Sequence, residues 1–294
     1  MTAVDDLITQ KKVYTERKKP MTPKRFGMKT IQYSLLAFFT AFFMIPIYVV
    51  LVTSLKPLRE ISLQTMWELP TAIDFTNYVL AWEKLAPSLG NSFLLVIPGA
   101  IIAAFLGSIN GYVLSKWQFP GSNLIFTLVL FGMFIPYQAI LIPLVQTINQ
   151  IGLYGTIPGL ILVHVVYGLP IMTLIFRNYY MSVPDELVEA ALMDGSGMIK
   201  TYFLIIFPIS IPAFIVGLIW EFTSIWNDFL FAVVLTTPDT WPVTVALNNI
   251  AGSQIVEWNV QMSGALLASL PTILVYIFLG RFFLKGMMSG SLKG

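Results

Sequence analysis

The residues best placed to act on a partner lie in one hydrophilic stretch, which reads RNYYMSVPDELVEAALMDGSGMIKTYFLIIFP from Arg177 to Pro208. Asp185, Glu186, Glu189 and Asp194 all precede Gly195, and no base follows Arg177 in that interval. Ala190 and Ala191 come directly after Glu189. Carboxylates beside small side chains suit close docking and ion pairing with a basic surface rather than bond making. A helix lying on anionic lipid wants a basic polar face, so these acids argue against that role.

Two further carboxylates stand in apolar surroundings. Glu221 and Asp228 are seven residues apart and fall on one face of a helix, with Trp220 and Asn227 on the neighbouring stripe. Charges inside a membrane span are costly and commonly mark a transport path. One reading makes Glu221, Asn227 and Asp228 the polar face of such a path. The other puts Asp228 near the outer interface and Glu221 in an interhelical hydrogen bond. His164 is the only histidine and there is no cysteine, so disulfides, thiol chemistry and the commonest zinc sites are excluded. His164 reads as a packed or partnered core residue. A phosphate-binding loop needs G-x-x-x-x-G-K-[ST]. The nearest approach, Asp194 to Thr201, has Asp194 and Ile199 where the two glycines belong. The chain is therefore expected to be no enzyme and to hold no metal or cofactor of its own.

The elements that position these groups follow from composition. The chain is 56% hydrophobic and 11% charged, with a mean hydropathy of +0.78, against roughly 25% charged residues in soluble domains. Lipid must cover much of the surface. A net charge of +2 gives no reason to expect nucleic acid. A spanning helix takes about 20 apolar residues. Charge-free runs, divided once at the polar Gln146–Gln150 dip, predict an all-α protein with about six transmembrane helices. They are Ile31–Thr53, Leu89–Ser115, Asn123–Leu144, Ile157–Phe176, Ile209–Leu230 and Met262–Phe283. The first run is too long for a signal peptide, and no A-x-A-like site follows it. Prolines within spans (Pro46, Pro98, Pro136, Pro143 and Pro170) suit kinks and packing.

Eight bases lie at or before Lys29: Lys11, Lys12, Arg17, Lys18, Lys19, Lys24, Arg25 and Lys29. If that side is cytoplasmic, the other side keeps only Lys56, Arg59 and Lys84 of the 17 basic residues. Both termini are then cytoplasmic, in the inner membrane of a prokaryote. The expected organisation is a tail over residues 1–30, a six-helix transmembrane domain over 31–284 that includes the 177–208 loop, and a second tail over 285–294.

Within the 177–208 loop, Ser182 is a candidate N-cap and Pro184 suits a first helical turn. Leu187 with Ala191, and Val188 with Leu192, form an apolar stripe. Gly195 follows the last periodic residue, where a left-handed C-cap favours glycine. Ser196 is placed to cap a second helix running to Pro208.

The spacing Glu189-Ala190-Ala191, three residues, Gly195, nine residues, Ile205, one residue, Phe207-Pro208 resembles the EAA motif of ABC importer permeases, EAA-x3-G-x9-I-x-L-P. Phe207 in place of leucine is the one departure. Phe75-Thr76-Asn77-Tyr78, Asn91-Ser92, Pro136, Pro143-Leu144, Gly152-Leu153, Thr156, Trp226-Asn227-Asp228-Phe229, Gly286, Gly290 and Lys293-Gly294 extend the likeness over nearly the whole chain. They are similar to the carbohydrate branch, and within it to the smaller permease subunit of the maltose transporter. The resemblance implies a type I ABC importer permease fold and a loop that couples to the ATPase through Glu189, Ala190, Ala191, Asp194, Gly195, Ile205 and Pro208. It also implies a C-terminal tail ending in Lys293 and Gly294 that reaches the ATPases. Trp241, Asn248, Asn249 and Gln254, in the base-free outer segment from Thr236 to Gln261, would contact an external sugar-binding protein. The expected partners are a second, larger permease, two ATP-binding subunits, the binding protein and the bilayer. The membrane sugar site would lie mostly in the other permease. A secondary solute carrier is the competing reading, but it wants an internal repeat and midplane ionisable groups. The sequence has no visible repeat and few such groups.

Overall fold

The computed structural model describes the backbone of residues 23–117, 119–252 and 257–291, and the side chains of 27–117, 119–252 and 257–282. Every regular element among the described residues is helical. In chain order these are α1 Pro23–Ser54, α2 Thr76–Lys116, α3 Ser122–Phe131, α4 Leu141–Gln150, α5 Ile157–Met181, α6 Glu186–Met193, α7 Met198–Thr201, α8 Phe207–Ile209, α9 Ile211–Trp226, α10 Leu230–Leu235, α11 Val243–Ala251 and α12 Trp258–Ser291. The chain forms two units, Met1–Val49 and Val50–Gly294.

Four helical stretches are long and apolar enough to cross a bilayer: Gly27–Ser54, Thr76–Lys116, Ile157–Met181 and Trp258–Phe282. Two bent pairs raise the count to six if each is one span. Large apolar side chains such as Phe38, Phe43, Leu128 and Ile277 are exposed along these helices, as lipid contact requires.

The structure corrects two of the expected spans. Asn123–Leu144 is not one helix. It breaks by 87° between Ser122–Phe134 and Tyr137–Gln150. Ile135 and Pro136 are extended there, with ψ of 116° at each. Pro136 has no N–H for the ladder and disfavours helical backbone in the residue before it. Likewise Ile209–Leu230 is interrupted twice. A 77° bend separates Met198–Ile209 from Ile211–Trp226, between Pro208 and Pro212, each of which removes a helical hydrogen bond. The helix then stops at Trp226, and α10 starts only after Asn227-Asp228-Phe229. The Asp228 carboxylate takes up the freed backbone, accepting from Ala232 N–H at 3.0 Å and Phe231 N–H at 3.4 Å. A short acidic side chain competes in this way with helix continuation.

Helix α2 is longer than expected. Its 41 residues span about 60 Å at 1.5 Å per residue, twice the roughly 30 Å hydrocarbon core. It is the spine of the second unit. Its C-terminal half packs on α5 through Gly107 and Gly111. A Cβ on Gly107 would lie 2.2 Å from Met172 Cβ, and one on Gly111 would lie 2.8 Å from Phe176 Cβ. Small residues four apart allow this approach where no hydrophobic effect drives helices together in lipid.

Polar knots tie the segment after α1 to this spine. Asn77 is buried, and its amide donates to the carbonyls of Ser54 at 3.0 Å and Lys56 at 2.9 Å. Its own Oδ1 accepts from Asn259 Nδ2 of α12 at 2.7 Å. Lys56 is also buried and donates to Thr65 O at 2.7 Å. These groups hold chain ends whose backbone would otherwise be unpaired in an apolar setting.

Candidate functional site

The acidic helix α6 is presented at the ends of α2 and α5. Glu189 and Ala190 are exposed, as are Asp194 and Gly195, while Val188 and Ala191 are buried against the chain. The expected stripe therefore divides. Val188 and Ala191 anchor the helix, and Leu187, Leu192 and Met193 point outward with Glu186 and Glu189. Gly195 has φ of +76°. Gly195 N–H donates to Leu192 O at 3.0 Å and Ser196 N–H to Ala191 O at 2.9 Å, the paired bonds of a Schellman C-cap. Ile205 is half-buried within a π-turn over Tyr202–Ile206, and Pro208 is exposed in α8.

Two expected caps are absent. Ser182 closes α5 instead of opening α6, and its hydroxyl donates to Tyr179 O at 2.6 Å. Ser196 makes no cap, because α7 begins after Gly197. The second helix is also not continuous to Pro208. It changes pitch at the π-turn, a feature common at functional sites.

Side chains distant in sequence hold this surface in place. Ser108 Oγ of α2 lies 2.6 Å from the Tyr180 hydroxyl and 2.8 Å from the Tyr202 hydroxyl, and all three residues are buried. This triad joins α2, α5 and the π-turn. Tyr112 donates to Met198 O at 3.2 Å. The Lys116 ammonium, its side chain only 3% exposed, reaches Val183 O and Asp185 Oδ1, each at 2.5 Å. Arg177 donates to Leu114 O at 3.3 Å and Asn123 Oδ1 at 3.2 Å, and its guanidinium sits 4.0 Å over the Phe126 ring. Sequence reasoning missed these anchors. The tyrosines near one end of two spans were the available signal, but their pairing with Ser108 crosses 72 and 94 residues.

The second group of predicted residues gathers at a cavity of about 510 Å³ between α5, α9 and the 227–229 break. Glu221, Asn227 and Asp228 all line it, with His164, Tyr137 and Tyr167. Glu221 is 3% exposed and lies against Gly168, where a Cβ would come within 2.2 Å of its Oε1. The interhelical hydrogen bond offered for Glu221 is not formed among the described residues. Asp228 carries the capping role described above, and His164 Nε2 faces its Oδ2 at 3.5 Å. Asn227 donates to Thr223 O at 2.9 Å.

The segment from Thr236 to Gly252 is built on α2. Asn91 donates to the carbonyls of Asp239 at 3.1 Å and Trp241 at 3.2 Å, and Val243 N–H donates to Ser92 Oγ at 2.8 Å. Asn248 and Asn249 are exposed on α11, while Trp241 is half-buried. Trp241 therefore packs, and the asparagines form the free surface. Gln254, Lys293 and Gly294 lie outside the described residues.

Residues 111–289 match the family model described as the binding-protein-dependent transport system inner membrane component. The chain is 43% identical over 276 residues to a probable ABC transporter permease protein of Pyrococcus horikoshii, covering 93% of this chain and 99% of that one. It is 34% identical to a xylose/arabinose import permease protein of Haloferax volcanii, covering 88% and 92% of the two chains. Among solved structures, a chain of a bacterial ABC transporter that imports the acidic polysaccharide alginate superposes with a TM-score of 0.78 at 20% identity, over 90% of this chain and 100% of that one. That likeness is one of fold. The apolar helices, the exposed acidic helix held on their ends and these matches lead to one assignment: the chain is an integral membrane protein that belongs to the family of inner membrane components of binding-protein-dependent transport systems.

Proposed function

We propose that this chain is a permease subunit of an ATP-driven importer of mono- or oligosaccharides or related glycosides, working with an external binding protein. It would pair with a second, larger permease and dock two copies of an ATP-binding subunit, which hold ATP and Mg and carry out hydrolysis. The observation that carries this reading is the exposed α6 surface, with Glu189, Ala190, Asp194 and Gly195 outward on a rigid hydrogen-bonded base. Force applied there reaches α2 and α5 through Ser108, Tyr180 and Tyr202. Ala191, Ile205 and Pro208 shape the same loop from within. Asn248 and Asn249 would meet the binding protein beside Trp241 and Gln254. The 285–294 tail, with Lys293 and Gly294, would reach the ATPases. Residues 1–30 would be a cytoplasmic tail, and 31–284 the permease domain. Support for a sugar cargo comes from the Haloferax relative named for xylose and arabinose.

The test is uptake of labelled saccharide into proteoliposomes that hold the whole transporter. Uptake should require ATP and the binding protein and should persist when proton and sodium gradients are collapsed. Uptake driven by either gradient without ATP would make the chain a secondary carrier.

The distribution of bases places both termini in the cytoplasm. Reporter fusions after Lys29 and Gln118, near Gly195 and at Gly294 should then report cytoplasm. Fusions near Leu69, Gln150 and Gly252 should report the outside. A cytoplasmic signal at Gly252 would overturn this topology.

A further inference from the structure

We infer that the cavity beside Glu221 is a saccharide subsite belonging to this subunit, selective for uncharged sugar rings and closed to acidic ones. The inference rests on the importer reading above and departs from one of its corollaries, that the sugar site lies mostly in the other permease.

The cavity has the form of a built ligand site. Its volume of about 510 Å³ falls within the range of about 300–1,000 Å³ usual for small-molecule pockets. Two buried polar groups line it without a hydrogen-bond partner among the described residues. Glu221 makes no hydrogen bond among the described residues, although it is 3% exposed. His164 Nε2 is buried with no hydrogen-bond partner, and its nearest polar neighbour is Asp228 Oδ2 at 3.5 Å. A buried polar group left unpaired is costly, so each invites a ligand that supplies the missing bond. A carboxylate is an acceptor only, and a sugar hydroxyl is the matching donor.

The remaining wall is aromatic. Tyr137 and Tyr167 flank Phe231, with ring centroids 5.4 Å and 4.9 Å from it. Phe231 is buried and serves as their backing, whereas Tyr137 is exposed and Tyr167 half-buried. Rigid rings with polar tips offer a flat apolar surface and a hydroxyl together. That combination fits the two kinds of surface on a pyranose, a C–H face and a rim of hydroxyls.

Charge decides which sugars fit. Glu221 and Asp228 line the cavity, and neither lysine nor arginine does. Asp228 is partly answered by His164 and by the α10 backbone amides, and Glu221 has no basic partner in the lining. A uronate would bring a third carboxylate to this site. Gly168 gives the arrangement its geometry, because a methyl group there would occupy the place of Glu221 Oε1. Gly168 is thus a positioning residue for the acceptor.

The experiment uses the complete transporter in nanodiscs. Its probe is whichever of glucose, xylose or melibiose the unaltered complex imports with ATP. Saturation-transfer NMR then reads contact between protein aromatic protons and probe C–H groups, and titration gives the affinity. Tyr137→Ala, at an exposed position that the fold does not need, should weaken probe binding by about three- to tenfold, as loss of one aromatic contact predicts. Glu221→Gln should weaken it by roughly tenfold or more, as loss of a charged acceptor predicts, and Gly168→Ala should reproduce that loss by displacing the carboxylate. Glucuronate should bind the unaltered complex more than about a hundredfold more weakly than the probe, because its carboxylate would be desolvated in a site that no lysine or arginine lines. Unchanged affinity in both Tyr137→Ala and Glu221→Gln, or glucuronate binding equal to that of the probe, would overturn the subsite while leaving the importer reading intact. Saccharide uptake driven by a proton or sodium gradient without ATP would overturn the importer reading and the subsite with it.

Discussion

Exchanging Glu189 for lysine should leave this subunit in the membrane and stop transport. The side chain is exposed on α6 and makes no ion pair among the described residues, so insertion and folding do not depend on it. In the docked assembly it would meet a base of the ATP-binding subunit. Exposed ion pairs contribute only about 0–1 kcal/mol. Breaking a desolvated, hydrogen-bonded pair costs about 2–5 kcal/mol, much of it from the stranded partner charge. The second figure applies if α6 enters a cleft, and it corresponds to a loss of docking of about thirtyfold or more. Less ATPase should therefore remain on the purified permease pair, and saccharide uptake should fall to background. Reversing the charge of the partner base should restore part of the uptake. Gly195→Val is the companion change and acts by another route. The φ of +76° costs a side chain with a Cβ about 1–2 kcal/mol, and a β-branched residue is a true outlier there. No atom lies within 4 Å of the added Cβ, so within this chain the penalty is conformational alone. Asparagine tolerates the left-handed region, so Gly195→Asn should retain more uptake than Gly195→Val. Partner charge reversal should not rescue valine. Full uptake by both Glu189→Lys and Gly195→Val would show that the coupling element lies elsewhere.

The largest structural effect is expected from Gly107→Val and Gly111→Val. Here the obstruction is packing, with added atoms 2.2 Å from Met172 Cβ and 2.7 Å from the Arg177 backbone nitrogen. Backbone cannot rotate away as a flexible side chain can, so α2 and α5 must separate. Overpacking of a tight interior costs about 1–3 kcal/mol and sometimes more. Separation would also stretch the bonds from Ser108, which sits between the two glycines, to Tyr180 and Tyr202. The expected result is a large drop in the yield of assembled complex and in its thermal midpoint, measured in detergent. Gly90→Ala on the same helix is the control. Its Cβ would meet nothing within 4 Å, and alanine favours helix over glycine by about 1 kcal/mol. Equal stability for Gly90→Ala and Gly107→Val would refute the close-packed α2–α5 contact.

What the sequence alone determined was what depends on composition and near neighbours. Charge-free runs located the membrane segments because a charge in lipid is costly wherever the chain later goes. Gly195 was legible as a left-handed cap because a Schellman turn is closed by residues three and five apart. The grouping of Glu221, Asn227 and Asp228 was legible for the same reason of short separation, even though the helix that was expected to carry them ends at Trp226. The tertiary structure decided which local signals prevailed. Ser182 and Ser196 both look like N-caps, and neither acts as one. Pro98 and Pro170 stay inside continuous helices, whereas Pro136 lies at an 87° break. Packing against neighbouring helices outweighs the loss of one hydrogen bond in the first two cases and not in the third. It also decided the pairings that no spacing encodes: Asn77 with Asn259, Ser108 with Tyr180 and Tyr202, and Glu221 against Gly168. Each joins groups far apart along the chain, and burial makes the meeting matter because polar atoms without water must find one another or remain unpaired.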